Sequence, residues 1–266
     1  YILTFLRGIE HITMEGRNMK IEMGESLIYS WLRHEKLCQL VQTNWKVSPF
    51  WELENRQEIE DLFVICRNYF LEKHSLDISK GCSLEQFLKQ AEIDGIGIAY
   101  STEAPYIYAV DVAYHEGGLN YGGKDETITK IAQKCIRTVL CLYGYFCMST
   151  GEVLFVSPKI TPAIETALVP LFDEISKLLH DNGLNIKAIL HCNDSFSSEV
   201  MYPVVEKASA VADTSELFMR GLQLYNLATK VEPTHKEVSA VTTSQCRLKP
   251  TSCLLYTSDA ADELDG

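Results

Sequence analysis

The chain has 266 residues, of which 46% are hydrophobic and 23% charged, and it carries a net charge of −12. This composition excludes a disordered, collagenous or low-complexity protein, and its sign is opposite to that of a protein that coats polyanions. No apolar run approaches the ~20 residues that a membrane span needs, and nine cysteines without a CxxC pair fit neither a disulfide framework nor a zinc ribbon.

Residues 1–18 show no amphipathic period and no signal-peptide layout, and read as a non-native upstream extension. Ordered patterning begins at Met19. From Gly24 to Glu35, Leu27, Ile28, Trp31 and Leu32 recur at helical spacing. Residues 37–48 alternate and predict a strand ended by Pro49. Residues 51–73 carry Leu53, Ile59, Leu62, Phe63, Cys66 and Phe70 among charges, the pattern of an amphipathic helix. Ser83 with Gln86 three residues on predicts a capped short helix. Strands are expected over 91–100 and 106–114, joined by STEAP into a hairpin. The glycine-rich run GGLNYGG (117–123) lacks the GKS/T ending of a phosphate loop and reads as a flexible segment.

A strong helix follows over Thr127–Tyr143, then a buried-type strand over 152–158. Pro162 to Asn182 predicts a helix stopped by Gly183. Residues 185–194 predict a strand, and Glu199 to Thr229 a helix broken near Asp213. The order predicts an α/β fold with a mixed sheet flanked by helices. It divides the chain into a single domain over 19–229 with a helical insertion at 50–90, and a linker over 230–252. Residues 253–263, CLLYTSDAADE, resemble the translation of a transposase sequencing adapter, and 253–266 read as an artefact. Cys135, Cys141 and Cys147 sit in apolar segments and read as reduced, buried thiols of a cytoplasmic protein.

The informative segment is AEIDGIGIAYSTEAPYIYAVDVAYHE, residues 91–116. Asp94 opens one hairpin strand and Asp111 lies on the next. Antiparallel neighbours of this kind can share a face. An acid between Val110 and Val112 is costly on an apolar strand unless it is paired. Two such acids repel each other unless a shared proton, a basic side chain or a divalent metal joins them.

A helix with an early Glu, then A-E-I-D, a hairpin, V-D-V, a helix and a strand resembles the PD-(D/E)xK nuclease superfamily, with its restriction-endonuclease-like fold. The resemblance spans roughly residues 19–192. It implies that Asp94, Asp111 and the carbonyl of Val112 hold Mg2+ or Mn2+, and that Glu25 is an additional acid. It implies metal-dependent phosphodiester hydrolysis of nucleic acid, DNA more than RNA, with a homodimer or protein partner allowed. The lysine expected two residues after Asp111 is Ala113. Lys134, flanking the apolar face of the following helix, is the expected substitute, and Lys46 the second candidate. His115, Glu116 and Glu92 are possible accessory groups. Two further readings stand beside this one: an inactive nuclease-fold module that binds nucleic acid or a protein, and an unrelated α/β domain with two structural acids. Trp45, Trp51 and Tyr121 read as core rather than base-stacking rings. His191 and Cys192, as strand neighbours, point to opposite faces.

Overall fold

The structure is a computed structural model that describes residues 22–100, 104–115, 117–211 and 214–229. The readings of 1–18, 230–252 and 253–266, the tip of the STEAP turn, Asp213 and Glu116 lie outside the described residues.

Helix α1 runs through residues 22–34, and its predicted stripe of Leu27, Ile28, Trp31 and Leu32 is buried. Leu37, at φ 55°, turns the chain. The Cys38 N–H then returns to the Leu32 carbonyl at 3.0 Å. Strand β1 (Leu40–Lys46) therefore starts three residues later than the alternation suggests. Helix α2 (Arg56–His74) also starts late, because Asn55 is left-handed at φ 50°. Trp51 rests instead against Trp45 and Tyr145, with ring centroids 5.7 and 6.0 Å apart. The capping box of α3 (Leu84–Lys89) forms as predicted. Gln86 N–H donates to Ser83 Oγ at 3.3 Å, and Ser83 N–H donates to Gln86 Oε1 at 3.4 Å.

The hairpin is β2 (Glu92–Tyr100) and β3 (Pro105–Val112), antiparallel, with Gly95 paired to Val110 and Tyr100 to Pro105. Helix α4 (Lys124–Tyr145) leads to β4 (Thr150–Ser157), and α5 (Pro162–Asp181) to β5 (Asn185–Cys192). Both connections join parallel strands through a helix, which needs a crossover of this length. The sheet order is β1-β2-β3-β4-β5. The chain is thus an α/β fold with a five-stranded mixed sheet flanked by helices. The predicted helix over 199–229 divides: α6 (Asp194–Phe196), a π turn (Ser197–Met201) and α7 (Tyr202–Lys207) precede α8 (Leu217–Thr229).

Strand alternation sorts the core into two layers. Ile107, Ala109, Ala113, Val153 and Phe155 face the layer that holds α2, α3, α4 and α5. Val110, Leu154 and Val156 face α1, α7 and α8. Each large apolar side chain buried here contributes ~1.5–3 kcal/mol. The 50–90 segment supplies Phe63, Cys66, Phe70 and Phe87 to the larger core, so it is built into that layer. On the other face, a Cβ on Gly95 would sit 2.8 Å from Ile28 Cγ2, and one on Gly97 2.7 Å from Cys38 Sγ. Glycine at both positions lets α1 lie directly on the hairpin. Cys135 and Cys141 are buried as expected, but Cys147 is exposed, set beyond α4 at φ 53°. Among the described residues, no helix is long and apolar enough to cross a membrane.

Candidate active site on the β2–β3 hairpin

Asp111 shares the α4-facing side of β3 with Ala109 and Ala113, and is 2% exposed. Strand alternation forces its carboxylate into that layer. Helix α4 supplies the compensation. Lys134 Nζ donates to Asp111 Oδ1 at 2.9 Å, and Thr138 Oγ1 donates to Oδ2 at 3.3 Å. Lys134 and Thr138 are four residues apart, so they lie one above the other on a single helix face.

Asp94 sits one rung beyond the Gly95–Val110 pair, opposite Asp111. Its Oδ2 accepts the Val112 N–H at 2.6 Å. Burial and then the neighbouring Asp111 charge push the Asp94 carboxyl up to about 6. Lys134 and the Val112 N–H pull the other way, and Glu25 adds a smaller push. The Asp111 charge, with that of Asp94, holds the Lys134 ammonium well above the ordinary lysine range despite burial. Lys134 therefore pairs with Asp111 and acts on Asp94 through its charge.

The other predicted residues divide. Glu25, on the first described turn of α1, lies close enough to act on Asp94, and its Oε2 accepts from Asn44 Nδ2 at 2.6 Å. Lys46 and Glu92 pair with each other at 3.0 Å, with side chains 63% and 52% exposed. That pair forms at the rim, where Lys46 ends β1 and Glu92 begins β2. His115 is exposed and meets Tyr121 edge-on, with centroids 5.7 Å apart. Ala113 packs in the core while its carbonyl accepts from Ser157 Oγ at 2.9 Å. Lys134 reaches Asp111 from the helix instead.

Three residues of this neighbourhood were not legible as such. Thr138 could have been found from its i+4 spacing to Lys134. Asn44 adopts φ 54° opposite Asp94 and offers no sequence signal of its contact with Glu25. Tyr121, read as core, is half-buried, and the charges of Lys134, Asp111 and Asp94 all act on its phenol, which burial raises most. The glycine-rich loop holds it in place. Asn120 Oδ1 accepts the N–H groups of Gly122 and Gly123, both at 3.0 Å, and Lys130 Nζ donates to the Tyr121 carbonyl at 3.0 Å. Positive φ at Gly122 and Gly123 (120° and 140°) makes that turn possible.

The donor set is hard oxygen. Among the described residues, no group of three or more His, Cys, Asp or Glu side chains converges as a metal cage. Mg2+ needs less, because it keeps several waters and binds through one or two carboxylates. Asp94 and Asp111 fit that requirement, and the upward push on Asp94, from burial first and from the Asp111 charge second, is of the sign that a nearby cation would oppose. A cavity of about 650 Å³ beside Trp51, Arg56 and Leu88 lies elsewhere and includes neither acid. The cluster is thus built from charge rather than from a deep apolar pocket. Compared with known proteins, the chain finds no counterpart: no protein-family model matches it, and neither a curated protein nor a solved structure does.

Proposed function

We propose that this chain is a metal-dependent phosphodiester hydrolase acting on nucleic acid, DNA rather than RNA, of the PD-(D/E)xK kind. The observation that carries the reading is the Asp94–Asp111–Lys134 cluster on the hairpin, with Lys134 Nζ 2.9 Å from Asp111. Asp94 and Asp111 would hold Mg2+ or Mn2+. The ion, when bound, supplies Lewis-acid charge and a more acidic water. Lys134 contributes a positive charge toward the phosphate, on a stem that starts from α4. Tyr121, with His115 edge-on to its ring, stands within the field of the cluster from the glycine-rich loop side. All seven described cysteines are free thiols, which supports a cytoplasmic setting.

The net charge of −12 favours a second reading, an inactive module that acts through a partner. One assay separates the two. The full chain is incubated with supercoiled plasmid, single-stranded DNA and RNA, with Mg2+, Mn2+ or EDTA. The proposal expects DNA cleavage that EDTA stops, that Asp111→Asn abolishes, and that Lys134→Ala lowers ~100-fold. No cleavage of any substrate with either metal overturns catalysis in favour of the module.

A further inference from the structure

The helices hold several threonines, and the use of their hydroxyls differs. Thr127 and Thr129 in α4 return theirs to the carbonyls of Gly123 and Asp125, at 2.6 and 2.7 Å. Thr166 in α5 and Thr229 in α8 do the same to Pro162 and Tyr225, at 2.8 and 2.9 Å. This i−4 back-bond is the default for a threonine in a helix. Thr138, 3% exposed in the middle of α4, instead directs its hydroxyl at Asp111 Oδ2.

Resting on the cation reading above, we infer that Thr138 is a positioning residue that fixes the Asp111 carboxylate for a divalent metal. An aspartate's terminal torsion is broad and nearly two-fold, so one hydrogen bond leaves the group free to swing. Lys134 is a poor fixing point alone, because its side chain is long and 35% exposed. Thr138 is stiff at χ1 and buried. Together the two donors take one site on each oxygen from the α4 side. Each oxygen keeps a second lone-pair site. A hydroxyl donor also orients the carboxylate without bringing a second positive charge to it. This is the relation by which an outer partner orients a metal ligand, and losing such a partner typically costs ~10–100-fold in affinity.

The test is Mn2+ binding to the full chain by isothermal titration calorimetry, with no substrate present. Thr138→Val should weaken binding at least ~10-fold. Thr138→Ser, which keeps the hydroxyl and loses only the β-branch, should bind more tightly than Thr138→Val. Thr138→Ala gives the same readout if the valine variant fails to fold. Wild-type affinity in Thr138→Val or Thr138→Ala overturns the positioning role, as does a serine variant as weak as the valine one. If wild type binds no Mn2+, or Asp111→Asn binds it equally well, the cation reading itself falls and takes this inference with it.

Discussion

Replacing Lys134 with methionine isolates the charge at the site, because methionine keeps most of the stem's packing. Asp111 is left with a side chain that is 3% exposed and with Thr138 as its remaining donor. At 2.9 Å and an effective dielectric constant near 20, the lost attraction is roughly 6 kcal/mol before solvation is counted. Lys134 is one-third exposed, so screening and its own regained hydration reduce that figure. Proton uptake sets a ceiling. Protonating an ordinary carboxylate at pH 7 costs about 1.4 kcal/mol per unit above ~3.9, or about 4 kcal/mol. The variant should therefore lose about 2–4 kcal/mol at pH 7, within the range for breaking a buried pair. Asp111→Asn should cost less, because Lys134 can turn its ammonium to water whereas Asp111 cannot follow. The pH dependence follows in sign. A buried, unpaired carboxylate binds its proton more tightly in the folded state than in the unfolded one, so the deficit shrinks as pH falls toward 4. Urea unfolding in EDTA at pH 7.5 and 5, for both single variants and the double variant, measures each quantity. A Lys134→Met variant within ~0.5 kcal/mol of wild type at pH 7.5, or one less destabilised than Asp111→Asn, refutes the reasoning.

Asp94→Asn should stabilise the metal-free protein at pH 7.5. The carboxyl is raised from 3.8 to about 6, so its stability contribution is present below the lower value and lost as pH rises through the upper one. The gain is at most about 3 kcal/mol, or ~2–4 °C in Tm per kcal/mol, and it fades toward pH 4. An unchanged or lower Tm in EDTA at pH 7.5 counts against it. Gly151→Ala should cost ~1–3 kcal/mol or more. Its Cβ would lie 2.3 Å from the Ile107 carbonyl oxygen on the neighbouring strand, and a wild-type urea midpoint contradicts this. Among the described cysteines, exposed Cys147 should react first with a maleimide. Burial pushes the Cys38 thiol up to about 11 and those of Cys66, Cys141 and Cys192 to about 12. Peptide mapping that finds Cys66 labelled as fast as Cys147 refutes that order.

The sheet and its helices were legible because their signals are local. The stripe of α1, the capping box of α3 and the apolar face of α4 each depend on residues a few positions apart. Boundaries failed where a single backbone conformation decided them. Leu37 and Asn55 adopt positive φ, and neither is a glycine that would announce it. At the site, Asp94 and Asp111 could be read from the hairpin, since register follows from pairing. The reach of Lys134 followed from its place beside the apolar face. Thr138 was signalled only by its i+4 spacing to Lys134, whereas Tyr121 and the Asn44–Glu25 contact needed the packing of helix and loop on the sheet, which no spacing encodes. The same holds for Glu216, buried against Ser30 and His34 at 2.6 and 2.9 Å from 182 or more residues away.

Packing alone gives no reason for the cluster to exist. Replacing a buried ion pair with apolar residues of similar volume is often neutral or stabilising. Ala109 and Ala113 already serve that purpose on the same face as Asp111. Asp94 makes the arrangement worse, because burial and Asp111 both oppose its charge. One ammonium cannot balance two carboxylates with Glu25 nearby, so the metal-free site is short of positive charge. On the proposed reading, a divalent ion would correct the deficit, and an approaching phosphodiester would then add a negative charge again. Lys134 would be needed in that count, because Mg2+ against two carboxylates would leave nothing over for the phosphate. Electrostatics depends on where a charge stands rather than on which element carries it. In the proposed hydrolase, a lysine on α4 would therefore answer for the alanine at position 113 on the strand side, provided that Asp111 is held to face it.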